Sequence, residues 1–334
     1  MGRALVHVEL VVPALFRIGA AAPALELLLA RGRRSEAKPC TLEDWYCGAF
    51  ELQERPLPAG ALTALAFGKE PAGASWLRAD PVHLRADRDR LLLIPGAGFD
   101  ITADEARLLC EELNRHFADQ FTLAAFAPDT WGLLPRAGMA LQARPPLEIA
   151  GRDIDAELPD KKWHALLNEI QMALYQHPVN TAREARGAPV VNSLWPWGAG
   201  PLPGAARGPW QSLSADDPTV LGLAKLAGIR HRPPGPGAAG WLKRAPDAGR
   251  HLVVLETLRG AAALGDGEAL AQRLQALESG WFAPLLAALR AGSIGMLTVH
   301  VPDAGAVFET ARGDLRRFWR RPRPLANYAQ AAPA

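Results

Sequence analysis

The chain has 334 residues, 49% of them hydrophobic and 22% charged, with a net charge of +2 and a mean hydropathy near zero. That composition excludes a disordered chain and a membrane protein, and so weak a net charge gives no global case for nucleic acid or an anionic membrane surface. The length suits two domains, or one α/β domain carrying an insertion. Cys40, Cys47 and Cys110 are an odd count with no C-x-x-C pair, so reduced thiols in a cytoplasm are expected rather than a disulfide framework or a zinc ribbon.

Residues 4–12 are rich in Val and Leu and end at Pro13, the pattern of a central parallel strand. Arg3, His7 and Glu9 interrupt this apolar run, so it reads neither as a signal peptide nor as a membrane span. A helix over 24–30 closing at Gly32 follows, then helices over 42–50 and 61–67 separated by the Pro56 and Pro58 loop. From residue 76 the texture changes to apolar–polar alternation through 87 and on into 91–94, which is strand with one polar face. Thr102 and Glu105 form a capping box for a helix with the stripe Ala106, Leu109, Cys110, Leu113 and Phe117. Strands are expected over 121–126 and 131–134.

A helix over 160–176 carries Trp163, Leu166, Leu167, Ile170 and Leu174 on one side and delivers His177-Pro178-Val179-Asn180 at its end. Residues 188–194 read as a strand leading into Asn192-Ser-Leu-Trp-Pro-Trp-Gly-Ala-Gly200, two tryptophans locked around a proline before a glycine turn. A motif of this kind at a strand end of an α/β protein is where clefts form. Residues 198–208 and 232–240 are Pro/Gly loops around a helix over 218–227. A strand over 251–256, a long helix over 268–290 striped by Leu270, Leu274, Leu277, Trp281, Leu285 and Leu289, and a strand over 293–301 repeat the doubly wound pattern.

The candidate site residues each carry two readings. His177 and Asn180 read as helix-end caps or as site groups, and Arg183 could grip a phosphate or carboxylate with its fork. Trp195 and Trp197 read as core packing or as a pocket's aromatic wall, and Asn192 stands beside them. Asp80, His83, Arg85, Asp87 and Arg88 read as cross-strand ion pairs or as a polar active face. Arg316-Arg317-Phe318-Trp319-Arg320-Arg321-Pro322-Arg323 reads as an anion or nucleic-acid patch, or as a solvated terminal segment whose Phe and Trp tuck into the core.

His177-Pro-Val-Asn180, Arg183 and Asn192-Ser-Leu-Trp-Pro-Trp-Gly198 resemble the archaeal-type cofactor-independent phosphoglycerate mutases of the alkaline phosphatase superfamily. They are more similar still to the bacterial RpfE-type regulatory proteins grouped with those enzymes, as are the segment 76–93, Leu113-Asn-Arg-His-Phe117 and Asn168-Glu-Ile-Gln-Met172. The resemblance implies an α/β fold: an alkaline-phosphatase-like, mostly parallel sheet flanked by helices over 1–70 and 175–334, with an inserted α+β lobe over 71–174. It also implies a two-metal site at the strand ends, which needs about six Asp and His ligands. Where the enzymes carry Asp-Gly after the first strand, this chain has Pro13-Ala14. After 251–256 it has Thr257-Leu-Arg-Gly-Ala261, and after His300 it has Val301-Pro302-Asp303.

Glu256, His300 and Asp303 are the remaining candidate metal ligands, and Arg259 would place a cation where the metals belong. The expectation is a cytoplasmic bacterial regulatory or binding protein without metal-dependent catalysis, with no cofactor and with a small anionic ligand or a protein as partner, and no membrane. Two alternatives accompany it. One is an active mutase or phosphatase using Mn, Mg or Zn at a rearranged site that includes His177. The other is nucleic-acid association through Arg316, Arg317, Arg320 and Arg321.

Overall fold

The computed structural model describes residues 6–71, 73–87, 90–96, 98–136, 143–154, 157, 161–244 and 248–329. Residues 4 and 5 of the expected first strand, Arg88 and Asp160 lie outside them. Residues 6–52 form β1 (Val6–Val11), α1 (Pro23–Arg31), β2 (Arg33–Glu36) and α2 (Leu42–Ala49). Residues 53–204 form α3 (Ala59–Ala66), β3 (Leu77–Asp87), β4 (Arg90–Pro95), α4 (Ala103–His116), β5 (Phe121–Ala127), β6 (Thr130–Pro135), α5 (Pro146–Ile149), α6 (Lys161–Leu174), α7 (Pro178–Ala185) and β7 (Ser193–Trp197). The remainder forms β8 (Ser212–Ser214), α8 (Pro218–Leu226), β9 (Arg230–Arg232), α9 (Ala238–Arg244), β10 (Gly249–Val254), α10 (Arg259–Leu264), α11 (Gly267–Leu277), α12 (Ala283–Ala291), β11 (Met296–Val301) and β12 (Ala306–Ala311).

Two compact units result, Met1–Leu52 with Ala205–Ala334, and Gln53–Gly204. In the first, a seven-stranded sheet runs in the order β2-β12-β11-β1-β10-β8-β9, parallel throughout except for β12, which is antiparallel to both its neighbours. Val8, Leu10 and Val12 face a core built with α1, α11 and α12, where Leu25, Leu28, Leu274, Leu285 and Leu289 are buried. The helix expected over 268–290 is present but carries a π turn, Glu278–Phe282, between α11 and α12. Pro284, one residue into α12, has no N–H to continue the regular ladder, and a π turn is one way to absorb that loss. The carboxylate of Glu278 in this turn accepts from the Ala24 and Leu25 amides at the start of α1, at 2.6 and 3.2 Å.

The second unit is built on an antiparallel sheet in the order β4-β3-β6-β5, with β7 paired to β3. Here α4 has the expected capping box, Thr102 and Glu105 exchanging bonds, and it buries Ala106, Leu109, Cys110 and Leu113. This unit, Gln53–Gly204, extends beyond the lobe expected over 71–174 on both sides, because α3 packs on β3 and β7 pairs with it. Helix α3 lies so close to β3 that a β-carbon on Gly60 would sit 2.2 Å from the Trp76 carbonyl oxygen. At the other end β7 is registered on β3, Arg78 opposite Trp197 and Asp80 opposite Trp195.

The Trp-Pro-Trp segment is therefore the body of a strand rather than the turn after one, and the strand expected over 188–194 starts at Ser193. Pro196 is tolerated because β7 bonds only to β3 among the described strands, leaving its other edge without a ladder to break. Among the described residues no helix is long and apolar enough to cross a membrane. None of Cys40, Cys47 and Cys110 is in a disulfide.

Candidate functional site

In the first unit the carboxyl ends of β1, β10 and β11 lie side by side, tied by Leu255 N–H to the Val11 carbonyl and Val12 N–H to the His300 carbonyl, both at 2.9 Å. In a parallel sheet this edge is where ligands and catalytic groups gather. Three sets of polar side chains occupy it and the strand face leading to it.

The first set lies on the sheet face opposite the Val8 and Leu10 core, where strand alternation turns His7 and Glu9. Glu9 is only 2% exposed. Its carboxylate accepts from Arg250 Nε at 2.6 Å and stands 3.5 Å from His300 Nε2 and 3.9 Å from His7 Nδ1. Burial alone would raise its pKa, but the nearby His300 ring and the Arg250 hydrogen bond and charge outweigh it and hold the group at about 2. His7 titrates lower than usual because of burial, against the pull of Glu9, and its Nε2 is 2.8 Å from Thr298 Oγ1.

Glu9 has a testable pH signature. Its folded pKa is below the ordinary 4.5, so its contribution is complete above that value and disappears as pH falls through about 2. Glu9→Gln should lower unfolding stability at neutral pH by about 3 kcal/mol and flatten the acid limb of the stability curve. Urea titrations between about pH 3 and pH 7 measure both, and an unchanged acid limb would refute the assignment.

The second set sits between α2 and the end of β10. Arg259 reaches Glu43 on α2 with Nη2 and Glu256 with Nη1, each at 2.9 Å, and its side chain is 14% exposed. Tyr46 Oη donates to the other Glu256 oxygen at 3.3 Å. Burial raises Glu256 to about 7 against the pull of Arg259, with Asp217 and Glu43 adding to the rise. Burial likewise drives Tyr46 well above its ordinary value, so it is a neutral donor. In the third set, Asp303 accepts from the Ala14 amide at 3.0 Å and lies 3.6 Å from Arg17. Ala14 itself has φ +63°, a backbone state that suits glycine.

The three candidate metal ligands are thus committed to different partners: Glu256 to Arg259, Asp303 to the Ala14 amide, and His300 to Glu9 and to the Trp45 ring, 5.5 Å away. Among the described residues no three His, Cys, Asp or Glu side chains are grouped so as to hold a metal ion. The residues present do not fit a two-metal centre, because a guanidinium stands between the carboxylates that would have to ligate it. The sequence signal for this was Arg259. The signal for Glu9 was a charge inside an otherwise apolar central strand, while Glu43 and Tyr46 gave none, their partners being more than two hundred residues away.

Most candidates of the second unit make their polar contacts within it. Arg183 is fully buried and spends its fork on Glu105, at 2.8 Å, and on the carbonyls of Phe99 and Pro189. Its fork is therefore filled by groups of this unit. Burial works against Glu105, but the Thr102 amide and Arg186 and Arg183 hold its carboxyl below the ordinary range. Asn180 bonds the carbonyls of Leu174 and Val191 and accepts from the Val191 amide. His177 caps the start of α7, accepting from Val179 N–H at 3.2 Å, so it faces the positive end of a helix dipole rather than the negative end.

Asn192 exchanges both amide groups with the Leu84 backbone, at 2.7 and 2.8 Å, and His83 Nδ1 is 3.1 Å from the Val190 carbonyl. Trp195 is buried, its indole N–H on the Arg144 carbonyl. Trp197 donates to Asp80 at 2.8 Å, while Arg78 grips the same carboxylate and lies 5.2 Å from the Trp197 ring. Arg85 and Asp87 are exposed on β3.

At the other chain end, Phe318 and Trp319 are 77% and 66% exposed and do not tuck into the core. Arg316, Arg320 and Arg321 are exposed beside them, and Arg317 is half-buried.

No described protein family and no curated protein matches this sequence. Among solved structures the chain is similar to the PH0037 protein from Pyrococcus horikoshii, with 13% identity, a TM-score of 0.53, and 93% of this chain and 88% of that one covered. A cofactor-independent phosphoglycerate mutase from Thermoplasma acidophilum aligns with 17% identity and a TM-score of 0.42 over 93% and 90% of the two chains. At such identities the likeness to the PH0037 protein is one of fold alone. The helix-flanked, mostly parallel sheet with a second antiparallel sheet is the fold class expected from the sequence.

Proposed function

We propose that this chain is a regulatory or binding protein on a phosphoglycerate-mutase-like scaffold, and that its strand-end site does no metal-dependent phosphoryl transfer. One observation carries the reading: Arg259 bridges Glu43 and Glu256 at the carboxyl end of β10, 2.9 Å from each. A two-metal centre stabilises the attacking and leaving oxygens with divalent charge held by carboxylates and imidazoles. Here the carboxylates already neutralise a fixed cation. The position after β1 adds support, since Pro13 offers no ligand and Ala14 holds a glycine-like φ.

The closer kinship, to RpfE-type regulatory proteins, belongs to the same proposal, as do a bacterial cytoplasm and a small anionic ligand or protein partner. It rests on the motifs at 177–183 and 192–198, whose residues here fix the α7 and β7 connections. The test is elemental analysis of the purified full-length protein together with assays on phosphoglycerate and a generic phosphomonoester. The expected result is no stoichiometric Mn, Mg or Zn and no turnover with added metal. Two tightly bound divalent ions accompanied by turnover would overturn the proposal.

A further inference from the structure

We infer that the segment over residues 312–323 is a binding surface for single-stranded nucleic acid, gripping phosphates with arginine and stacking bases on Phe318 and Trp319. It belongs to a different part of the first unit's chain from the strand-end cluster and stands independently of that reading. The segment holds six arginines and one aspartate, a local positive charge that the net +2 of the chain conceals.

Its backbone is fixed from below. Arg317 Nη1 donates to the Arg31 carbonyl at 3.2 Å, Arg320 Nη1 to the Gly32 carbonyl at 2.8 Å, and Arg31 Nη1 to the Leu315 carbonyl at 2.5 Å. Cations thus meet the carbonyl end of α1, where the helix dipole favours them. Arg317 is further paired with Asp314 at 2.8 Å. Arg317 and Arg320 act as anchors, which leaves Arg312, Arg316, Arg321 and Arg323 exposed and without a carboxylate partner among the described residues, the last three flanking the aromatic pair. Between them Phe318 and Trp319 stand edge to face, centroids 5.3 Å apart and planes at 81°.

Two rings held out of the core on a fixed, arginine-lined segment match what single strands require, since every base has a π face and guanidinium forks fit phosphate. A duplex is less well matched, because the segment is a 3-10 turn and coil with no helix or ribbon to enter a groove. An anionic bilayer is also less well matched. Leu315 is half-buried and Leu325 buried, so the rings have little aliphatic area beside them to insert.

Fluorescence anisotropy of the full chain with a labelled oligothymidine of about twelve nucleotides, over about 50–200 mM salt, tests this. The wild type should bind with a log–log salt slope near −2, about −0.7 for each of three phosphates. Replacing Arg316, Arg321 and Arg323 together by Ala should remove most of that slope, whereas Trp319→Ala should weaken binding about tenfold and leave the slope intact. All four side chains are exposed, and circular dichroism checks that the variants are folded. No binding by the folded wild type at low salt, equal binding by the variants, or binding to phosphatidylserine vesicles but not to the oligonucleotide would each overturn the inference.

Discussion

Replacing Arg183 by Met should cost the second unit about 3–5 kcal/mol of stability, the loss expected when one partner of a buried ion pair is removed. Arg183 is fully buried, and its guanidinium joins three otherwise separate pieces of chain: Glu105 in the first turn of α4, the Phe99 carbonyl before that helix, and the Pro189 carbonyl after α7. Met fills similar volume but donates nothing, so two buried carbonyls and a carboxylate are left with fewer donors. Lys should restore little, because one ammonium cannot span three acceptors set to a planar fork. Hydrogen exchange at the α7 and β7 amides, with urea unfolding followed by tryptophan fluorescence, reads the effect. A loss under about 1 kcal/mol, or full rescue by Lys, would show that the fork is dispensable.

Arg259→Met should give a loss that depends on pH. In the native protein Glu256 titrates at about 7, above its ordinary 4.5, so its protonation favours the fold fully below the lower value. That contribution is lost as pH rises through the higher one. Taking Arg259 away removes the attraction that opposes the rise and leaves Glu43 and Glu256 facing each other without their shared cation. At about pH 8 the variant should lose about 3–5 kcal/mol, while near pH 5 the loss should be much smaller, because Glu256 is already protonated there and carries no charge for Arg259 to offset. Adding Glu256→Gln should recover most of the stability at high pH. Urea titrations at the two pH values decide the matter, and an equal loss at both would break the link to carboxylate charge.

The sequence shows more of the surroundings of one of these arginines than of the other. The chemistry of Arg259 was legible because it stands a few residues after a clear central strand, where a cation is foreign to a metal site. For Arg183 the sequence offers a fork that could grip a phosphate or carboxylate, without naming its partner. What it grips are carbonyls and a carboxylate from segments that no local pattern connects to it.

The long elements followed from their own residues. The capping box of α4, the leucine stripe of α11 and α12, and the apolar runs of β1, β10 and β11 each contain the apolar area that drives their burial. The short strands did not announce themselves. β2 is Arg-Arg-Ser-Glu and β9 is Arg-His-Arg, and both are strands only because a ladder on β12 or β8 supplies the hydrogen bonds. The helix α9 likewise begins inside a stretch whose Pro and Gly content reads as a loop.

By itself, then, the sequence determined the α/β class, the main periodic elements and the absence of a carboxylate where β1 ends, because those properties belong to contiguous residues. Tertiary structure alone decided that Trp-Pro-Trp is a strand of the second unit, that Glu9 is held ionised by Arg250 and His300, and that Phe318 and Trp319 face water. Each of these depends on which distant backbone or side chain arrives beside the residue. That is a matter of strand order and packing rather than of spacing along the chain.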